Sequence, residues 1–579
     1  MSVACPIFFD GLAGMYHAAK GSTAVLMLSP WAYEELCSRK TFRIMGEKLA
    51  EAGYPCLRFD FPGTCHSALA SDAIRDIEAW QKAAEAALDQ LITLSSASRV
   101  ILIGQGLGGL FAGELARKRH VAGVVYLGGV SQGRAHLREI AAWTAMTQPT
   151  FLVRSSDGPE GGMMAGGFVL SAETLTEIKG LNLLKSEAPK VERSLVVGRP
   201  GNPADVKLAE HLAAGGGQVD LSAFEGYVDY ISNPTLSRLP TGPIKAVVSW
   251  ICEHFPQDAD ASAGTKLPDV PAVLETPDYR ESQHRFGPGG MFFCVLTEPA
   301  SAPARTAILV LNAGYDHSCG WGRYTVDLAR EMASRGYAVL RMDLAGIGET
   351  PYWPGQGEQV LYSTRQSDDV RCAIDWMKER LGDAHVLISG RCSGAYQAFV
   401  SAGLDERIEG AFLVNSRKLV WDPDEDVDQA IREPIQTLDT YRSKMTDPKQ
   451  FKRLLSGELT VSTAVRKVTA ALATAADRKL SPLLGRLSRH HRLKSVVSAR
   501  LKTLAERNVP VALVYSEGDR GLLEIADWFG PDASGLSAYP NVTFSKVPEA
   551  DHNLSPLPAR ADVTEKLLEF AGRFGAAKR

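Results

Sequence analysis

Thr23-Ala24-Val25-Leu26-Met27-Leu28 and Thr306-Ala307-Ile308-Leu309-Val310-Leu311 are one apolar strand written twice, and the segment after each recurs as well. Tyr54-Pro55-Cys56-Leu57-Arg58-Phe59-Asp60-Phe61-Pro62-Gly63 parallels Tyr337-Ala338-Val339-Leu340-Arg341-Met342-Asp343-Leu344-Ala345-Gly346. Each lies behind a helical stretch closing on Ala-x-x-Gly, Ala50 to Gly53 and Ala333 to Gly336. A repeat of this length is a duplicated domain rather than a solenoid turn, and 579 residues leave room for two. Apolar strands alternating with helices predict α/β architecture, with two tandem, mostly parallel sheets flanked by helices. The first domain is expected at 1–255, a linker at 256–281 and the second domain at 282–579. The linker holds Asp258-Ala259-Asp260-Ala261-Ser262-Ala263-Gly264-Thr265 and scattered prolines. A composition 45% hydrophobic and 22% charged supplies sizeable cores.

In the second copy, the strand Val386-Leu387-Ile388-Ser389 runs into Gly390-Arg391-Cys392-Ser393-Gly394, and a small-residue helix leaves it. This is a G-x-S-x-G-type nucleophile elbow with cysteine at the centre, in the strand–turn–helix context such a motif requires. Glycines on both sides let strand and helix pass closely, and the central residue is expected in a strained conformation. A thiol nucleophile needs a base, and the base an orienting carboxylate. Downstream, Val509 to Tyr515 is a short strand ending in Ser516-Glu517-Gly518-Asp519, and Val542 to Val547 is another, leading to Asp551-His552-Asn553. Asp519 is the expected orienter, with Glu517 a second candidate, and His552 the expected base. The oxyanion donors are expected to be the N–H of Ser393 and that of Ala313 or Gly314, in the loop after Ala307 to Leu311. Tyr315, His317 and Arg391 are candidate substrate-lining residues, with His317 otherwise a loop-packing residue rather than a second base.

The Asn312-Ala313-Gly314 loop, the Leu340-to-Gly348 segment and the Gly390-to-Ala395 elbow together resemble the α/β-hydrolase superfamily, including bacterial hydrolases associated with polysaccharide or natural-product pathways. Cysteine at the elbow is similar to dienelactone hydrolases, polyester synthases and some thioesterase domains. The resemblance covers nearly the whole chain and implies acyl chemistry in an α/β-hydrolase fold, but this superfold does not name a substrate. It also implies cap insertions before the acid strand, at about 131–192 and about 416–507. The first includes the apolar-tipped Gly161-to-Gly167 stretch; the second is expected to be helical, with one helix starting at Asp447-Pro448 and another segment at Asp477.

Aligned on the second copy, the first has lost all three functional groups. Its elbow is Gly104-Gln105-Gly106-Leu107-Gly108, with glycine at the nucleophile position; Gly201-Asn202 stands where Gly518-Asp519 does, and no histidine follows Val219-Asp220-Leu221-Ser222. Gly104, Gly106 and Gly109 match the letters of a dinucleotide-binding loop, but the next strand ends in Gly128-Gly129 without the ribose-binding acid. The first copy is therefore expected to be a degenerate scaffold, lid or binding module.

A net charge of −4 gives no bulk attraction for nucleic acid. Basic residues crowd the second insertion, from Lys449 to Lys502, most densely at Arg486, Arg489, Arg492 and Lys494 with His490 and His491 among them. This is either a solvated helical face or a landing surface for an anionic acyl donor such as coenzyme A or an acyl carrier protein, or for a membrane surface. Nine cysteines without paired spacing argue against a disulfide framework and a zinc site, so no metal or cofactor is expected. A free thiol fits a reducing compartment. With no signal-like start and no apolar run of membrane-spanning length, a cytoplasmic location is expected. Oligomeric state is left open.

The elbow dictates the chemistry. A neighbouring imidazolium and a helix N-terminus both lower a thiol's pKa, so an acyl-thioester on Cys392 is the expected intermediate. An acyltransferase or a thioesterase- or esterase-type hydrolase fits, as does a carboxylester or lactone hydrolase. A scaffold protein with a vestigial triad is the non-enzymatic alternative.

Overall fold

The apolar runs flanked by turn residues become strands of two sheets, buried at the centre and part-exposed at the Gln218–Ala223 and Val542–Val547 edges. A computed structural model describes residues 4–147, 159–165, 167–257, 272–432, 476–477, 480–481 and 483–575. The Asp258-to-Thr265 segment, the helix start at Asp447-Pro448 and the basic residues from Lys449 to Arg466, Lys467, Arg478 and Lys479 lie outside them.

The first sheet contains β1 (Cys5–Phe9), β2 (Leu12–His17), β3 (Thr23–Leu28), β4 (Cys56–Phe59), β5 (Arg99–Gln105), β6 (Gly123–Leu127), β9 (Arg193–Gly198) and β10 (Gln218–Ala223). Their order is β1-β2-β4-β3-β5-β6-β9-β10. β7 (Met163–Ala165) and β8 (Phe168–Leu170) form a separate hairpin in the first insertion. The second sheet contains β11 (Val273–Glu275), β12 (Tyr279–Phe286), β13 (Phe292–Pro299), β14 (Thr306–Leu311), β15 (Ala338–Met342), β16 (His385–Arg391), β17 (Ile408–Val414), β18 (Val511–Ser516) and β19 (Val542–Val547). Its order is β11-β12-β13-β15-β14-β16-β17-β18-β19. Apart from the added β11, the two orders are the same. In both, only the first strands run antiparallel: β2 against β1 and β4, and β13 against β12 and β15. The central strands β3 and β14 are buried along their whole length, as parallel strands covered on both faces must be.

Two boundaries differ from the sequence expectation. The stretch expected as a linker ends in β11 and the start of β12, which belong to the second sheet. The tail of the second insertion, helix Arg489–Glu506, buries Val497, Leu501 and Leu504, and Arg500 lies 5.0 Å over the Phe399 ring of helix Ser393–Leu404. That helix is part of the layer flanking the sheet. Its basic residues are partly engaged: Arg489 pairs with Asp422 and Glu425, and Arg500 donates to the Leu419 carbonyl.

The corner after β4 and the corner after β15 make the same bonds. Asp60 Oδ2 accepts from the His66 N–H at 3.1 Å, and Asp343 Oδ2 from the Glu349 N–H at 2.8 Å. Ser67 Oγ donates to the Asp60 carbonyl at 2.6 Å, and Thr350 Oγ1 to the Asp343 carbonyl at 2.7 Å. Each corner then reaches the arginine of the other sheet. Glu349 takes both terminal nitrogens of Arg58, at 2.8 and 2.7 Å, and His66 Nδ1 accepts from Arg341 at 3.2 Å. Ala4, Met15, Phe293 and Val295 form the apolar part of this contact. The two units are joined through buried, reciprocal ion and hydrogen-bond pairs.

Candidate active site

β16 ends at Arg391, helix Ser393–Leu404 begins two residues later, and Cys392 makes the turn between them at φ 58°, ψ −119°. A non-glycine residue holds this left-handed conformation only where its surroundings over-determine it. Here they do: a Cβ on Gly390 would meet the Gly394 carbonyl carbon at 2.4 Å, and one on Gly394 the Asn312 oxygen at 2.4 Å, so no larger residue allows so sharp an approach. The turn leaves the Cys392 side chain partly open while Ser393 and the helix behind it are buried.

β18 and β19 bring the other two candidates to the same end of the sheet. His552 Nδ1 lies 2.5 Å from Asp519 Oδ2, and the imidazole and the Cys392 thiol stand close enough for each to shift the other's proton affinity. Asp519 is buried, and Glu517 is exposed. Burial alone would push the Cys392 thiol up, but the His552 imidazole, followed by Arg417 and Arg391, brings it down to about 7. His552 is shifted the other way: burial disfavours its charge, but Cys392 and Asp519 raise its affinity for a proton. Asp519 is held below the usual carboxylate range because His552 outweighs its burial.

Of the two loop candidates for the oxyanion, Gly314 donates its N–H to Ser393 Oγ at 2.8 Å. No such bond engages the Ala313 N–H among the described residues. A Cβ on Gly314 would stand 2.7 Å from Oγ1 of Thr235, so the first unit presses directly on this loop.

The three residues expected to line substrate separate. Arg391 is a tie: it donates to the His552 carbonyl at 3.1 Å, to Asn553 Oδ1 at 2.7 Å and to Asp316 Oδ2 at 2.9 Å. A guanidinium with all these fixed acceptors holds the elbow, the histidine loop and the oxyanion loop in register, and is not free for substrate. His317 is buried, its Nε2 2.9 Å from Glu35 of the first unit, and it packs the interface. Tyr315 and His317 both line a cavity of about 130 Å3, shared with Lys40, Thr235, Gly346 and Gln359. Cys392 is not among that cavity's lining residues; cavity and thiol meet through the 313–317 loop.

Residues not anticipated from the sequence complete the surroundings. Arg417, just past β17, is one of the charges lowering both Cys392 and Asp519, and its buried Nε has no hydrogen-bond partner among the described residues. Its position at the carboxyl end of a parallel strand was the available signal. Tyr362 stands half-buried beside Cys392, stacks on Trp421 with centroids 4.3 Å apart, and meets Tyr396 edge-on at 5.0 Å. Asn415 donates to the His552 carbonyl at 3.0 Å and fixes that loop a second time.

At the corresponding point of the first sheet, Gly106 has φ 55°, ψ −124°. A Cβ there would lie 1.9 Å from Glu34 Oε2, so a carboxylate fills the nucleophile's place. Tyr227 donates to Glu34 Oε1 at 3.2 Å, and Asn202, at the acid position, caps helix Pro203–Ala214 through the Ala204 N–H. An acid at this helix start leaves no place for a dinucleotide phosphate.

The topology defines the class: an α/β protein of two tandem, mostly parallel sheets flanked by helices. No family model matches the chain, and no curated protein sequence matches it. Solved structures are similar to parts of it. A cold-adapted esterase from an Arctic intertidal metagenomic library is 12% identical, covering 51% of this chain and 96% of its own, with a TM-score of 0.28. An α/β serine hydrolase without lid from Xanthomonas campestris is 11% identical over 53% of this chain and 99% of its own, with a TM-score of 0.30. The esterase domain of a Rhodothermus marinus protein is 15% identical over 51% and 98%, with a TM-score of 0.29. Among the described residues, no helix is long and apolar enough to cross a membrane.

Proposed function

We propose that the chain is an acyl-handling enzyme working through an acyl-thioester on Cys392, with His552 as base and Asp519 as its orienter. The observation that carries this reading is the thiol itself: held at positive φ at the elbow and drawn down to about 7 by the His552 imidazole. In the proposed cycle the Cys392 thiolate attacks an acyl carbonyl, and the oxyanion forms against the N–H groups of Ser393 and Ala313 at the helix N-terminus. His552 passes the thiol's proton to the leaving group, and collapse gives the acyl-enzyme. His552 then takes a proton from water or from another acceptor, whose oxygen or nitrogen attacks the thioester and frees Cys392. Hydrolase and acyltransferase share every step but the last acceptor.

The first unit, about residues 1–255, is proposed as a degenerate copy that buttresses the second. Thr235 against Gly314 and Glu35 against His317 support that role. The acyl donor is proposed to be a thioester such as coenzyme A or an acyl carrier protein carries, approaching the basic 486–494 surface. The test is release of free thiol from short acyl-thioesters, followed colorimetrically in wild type and Cys392→Ala. Loss of turnover in the variant supports the reading; equal turnover in both refutes it. Carboxylester and lactone substrates assayed alongside distinguish the plain esterase alternative.

A further inference from the structure

Cys65 follows β4 in the first unit, and His317 and Cys319 follow β14 in the second. The interface folds them onto one point: the two sulfurs and an imidazole nitrogen lie within 4.8 Å of one another, all three residues buried. We propose that this cluster is a binding site for a zinc-type divalent cation that clamps the two units together.

The donor chemistry selects the ion. Two thiols and an imidazole form a set of mixed softness that suits zinc and is poorly matched to magnesium or calcium. In a tetrahedral site with Zn–S bonds of about 2.3 Å, the sulfurs stand about 3.8 Å apart, a spacing this cluster can meet with little movement. The neighbours are those of a supported site. Glu35 Oε2 lies 2.9 Å from His317 Nε2, the carboxylate–histidine pair that commonly backs a metal ligand, and the ion would take Nδ1 in place of the Cys319 N–H that it accepts at 3.4 Å. His66 accepts from Arg341 at Nδ1, so its Nε2 carries the proton, and it points that proton at Cys319 Sγ from 3.2 Å. On loading the ion enters, the two S–H bonds break and their protons leave to solvent, two metal–sulfur bonds and one metal–nitrogen bond form, and the Cys319 N–H gives up His317 Nδ1.

The consequence of a cation falls on the 312–320 loop, which carries Ala313 and Gly314 at one end and two of the ligands at the other. The site is invisible to chain spacing, since Cys319 and His66 are 253 residues apart.

The test is metal analysis of the full chain, expressed with zinc in the medium and purified without chelator. The expected result is about one zinc per chain, retained through gel filtration. It should fall below about a tenth in Cys65→Ser and in Cys319→Ser, and stay unchanged in Cys5→Ser and Cys392→Ser. The Cys392→Ser arm separates this site from the acyl-enzyme reading. Cobalt(II) exchanged into wild type is expected to give tetrahedral visible bands and thiolate-to-metal charge transfer, a readout independent of how the variants fold. A chain isolated without metal that develops no such bands, or one in which peptide mapping finds Cys65 and Cys319 joined, overturns the proposal.

Discussion

Cys392 and Gly106 hold the same backbone conformation, φ 58°, ψ −119° and φ 55°, ψ −124°, at the same turn of their respective sheets. What separates them is the space outside the turn, occupied in the first unit by the carboxylate of Glu34. Gly106→Cys is therefore expected to create no second reactive thiol. With a Cβ 1.9 Å from Glu34 Oε2, it should destabilise the first unit by about 1–3 kcal/mol. Chemical denaturation checks this, and Glu34→Ala in the same chain should recover most of the loss.

Glu34 itself makes stability depend on pH. Burial pushes its carboxyl up to about 8 against the pull of Arg199. A folded pKa above the unfolded one means the contribution is complete below about pH 4.5 and is lost as pH rises to about 8. Glu34→Gln keeps the shape and removes the titration. The variant should match wild type near pH 4.5 and be more stable by on the order of 3 kcal/mol at pH 8, measured as the difference between the two melting profiles.

Arg58 and Glu349 form a fully buried bidentate pair between the units. Removing one partner leaves a charge without compensation, so Arg58→Met and Glu349→Met should each cost about 3–5 kcal/mol. The double variant, apolar on both sides, should lie much nearer wild type. Denaturation of the three variants is the check, and additive losses would contradict the pairing.

Thiol reactivity reports the electrostatics of the site. With Cys392 at about 7, alkylation by iodoacetamide should rise with pH through that value, below the range of an ordinary thiol. His552→Asn removes the largest opposing charge and should move the midpoint upward by more than a pH unit, on the scale of known pairings. Arg417→Met should shift it in the same direction by less. Midpoints unchanged in both variants would mean that neither charge acts on the thiol.

The local parts of this architecture are legible along the chain. Apolar strands, the glycine-flanked elbow and the strand-end loops carrying Asp519 and His552 each depend on a few consecutive residues, and their order along the chain follows the sheet. What pairs distant residues is not legible. Arg391 reads in sequence as free to meet substrate because its three acceptors, Asp316, His552 and Asn553, come from other loops. His317 reads as either a loop-packing or a substrate-lining residue, and its partner Glu35, 282 residues away in the other unit, has no signal along the chain. Spacing that argues against metal ligands describes the chain and cannot describe an interface. Glu34 in the place of the first nucleophile has no sequence signal of its own, since an acid in a first helical turn is ordinary.

The most direct measurement is intact-mass spectrometry of the chain mixed with a short acyl-thioester and quenched in acid, followed by peptide mapping. The predicted result is one acyl adduct on the peptide containing Cys392, formed in wild type, slowed in His552→Asn and absent in Cys392→Ala. An adduct that persists in Cys392→Ala, or no adduct with any activated acyl donor while Cys392 remains freely alkylated, would contradict the acyl-enzyme account.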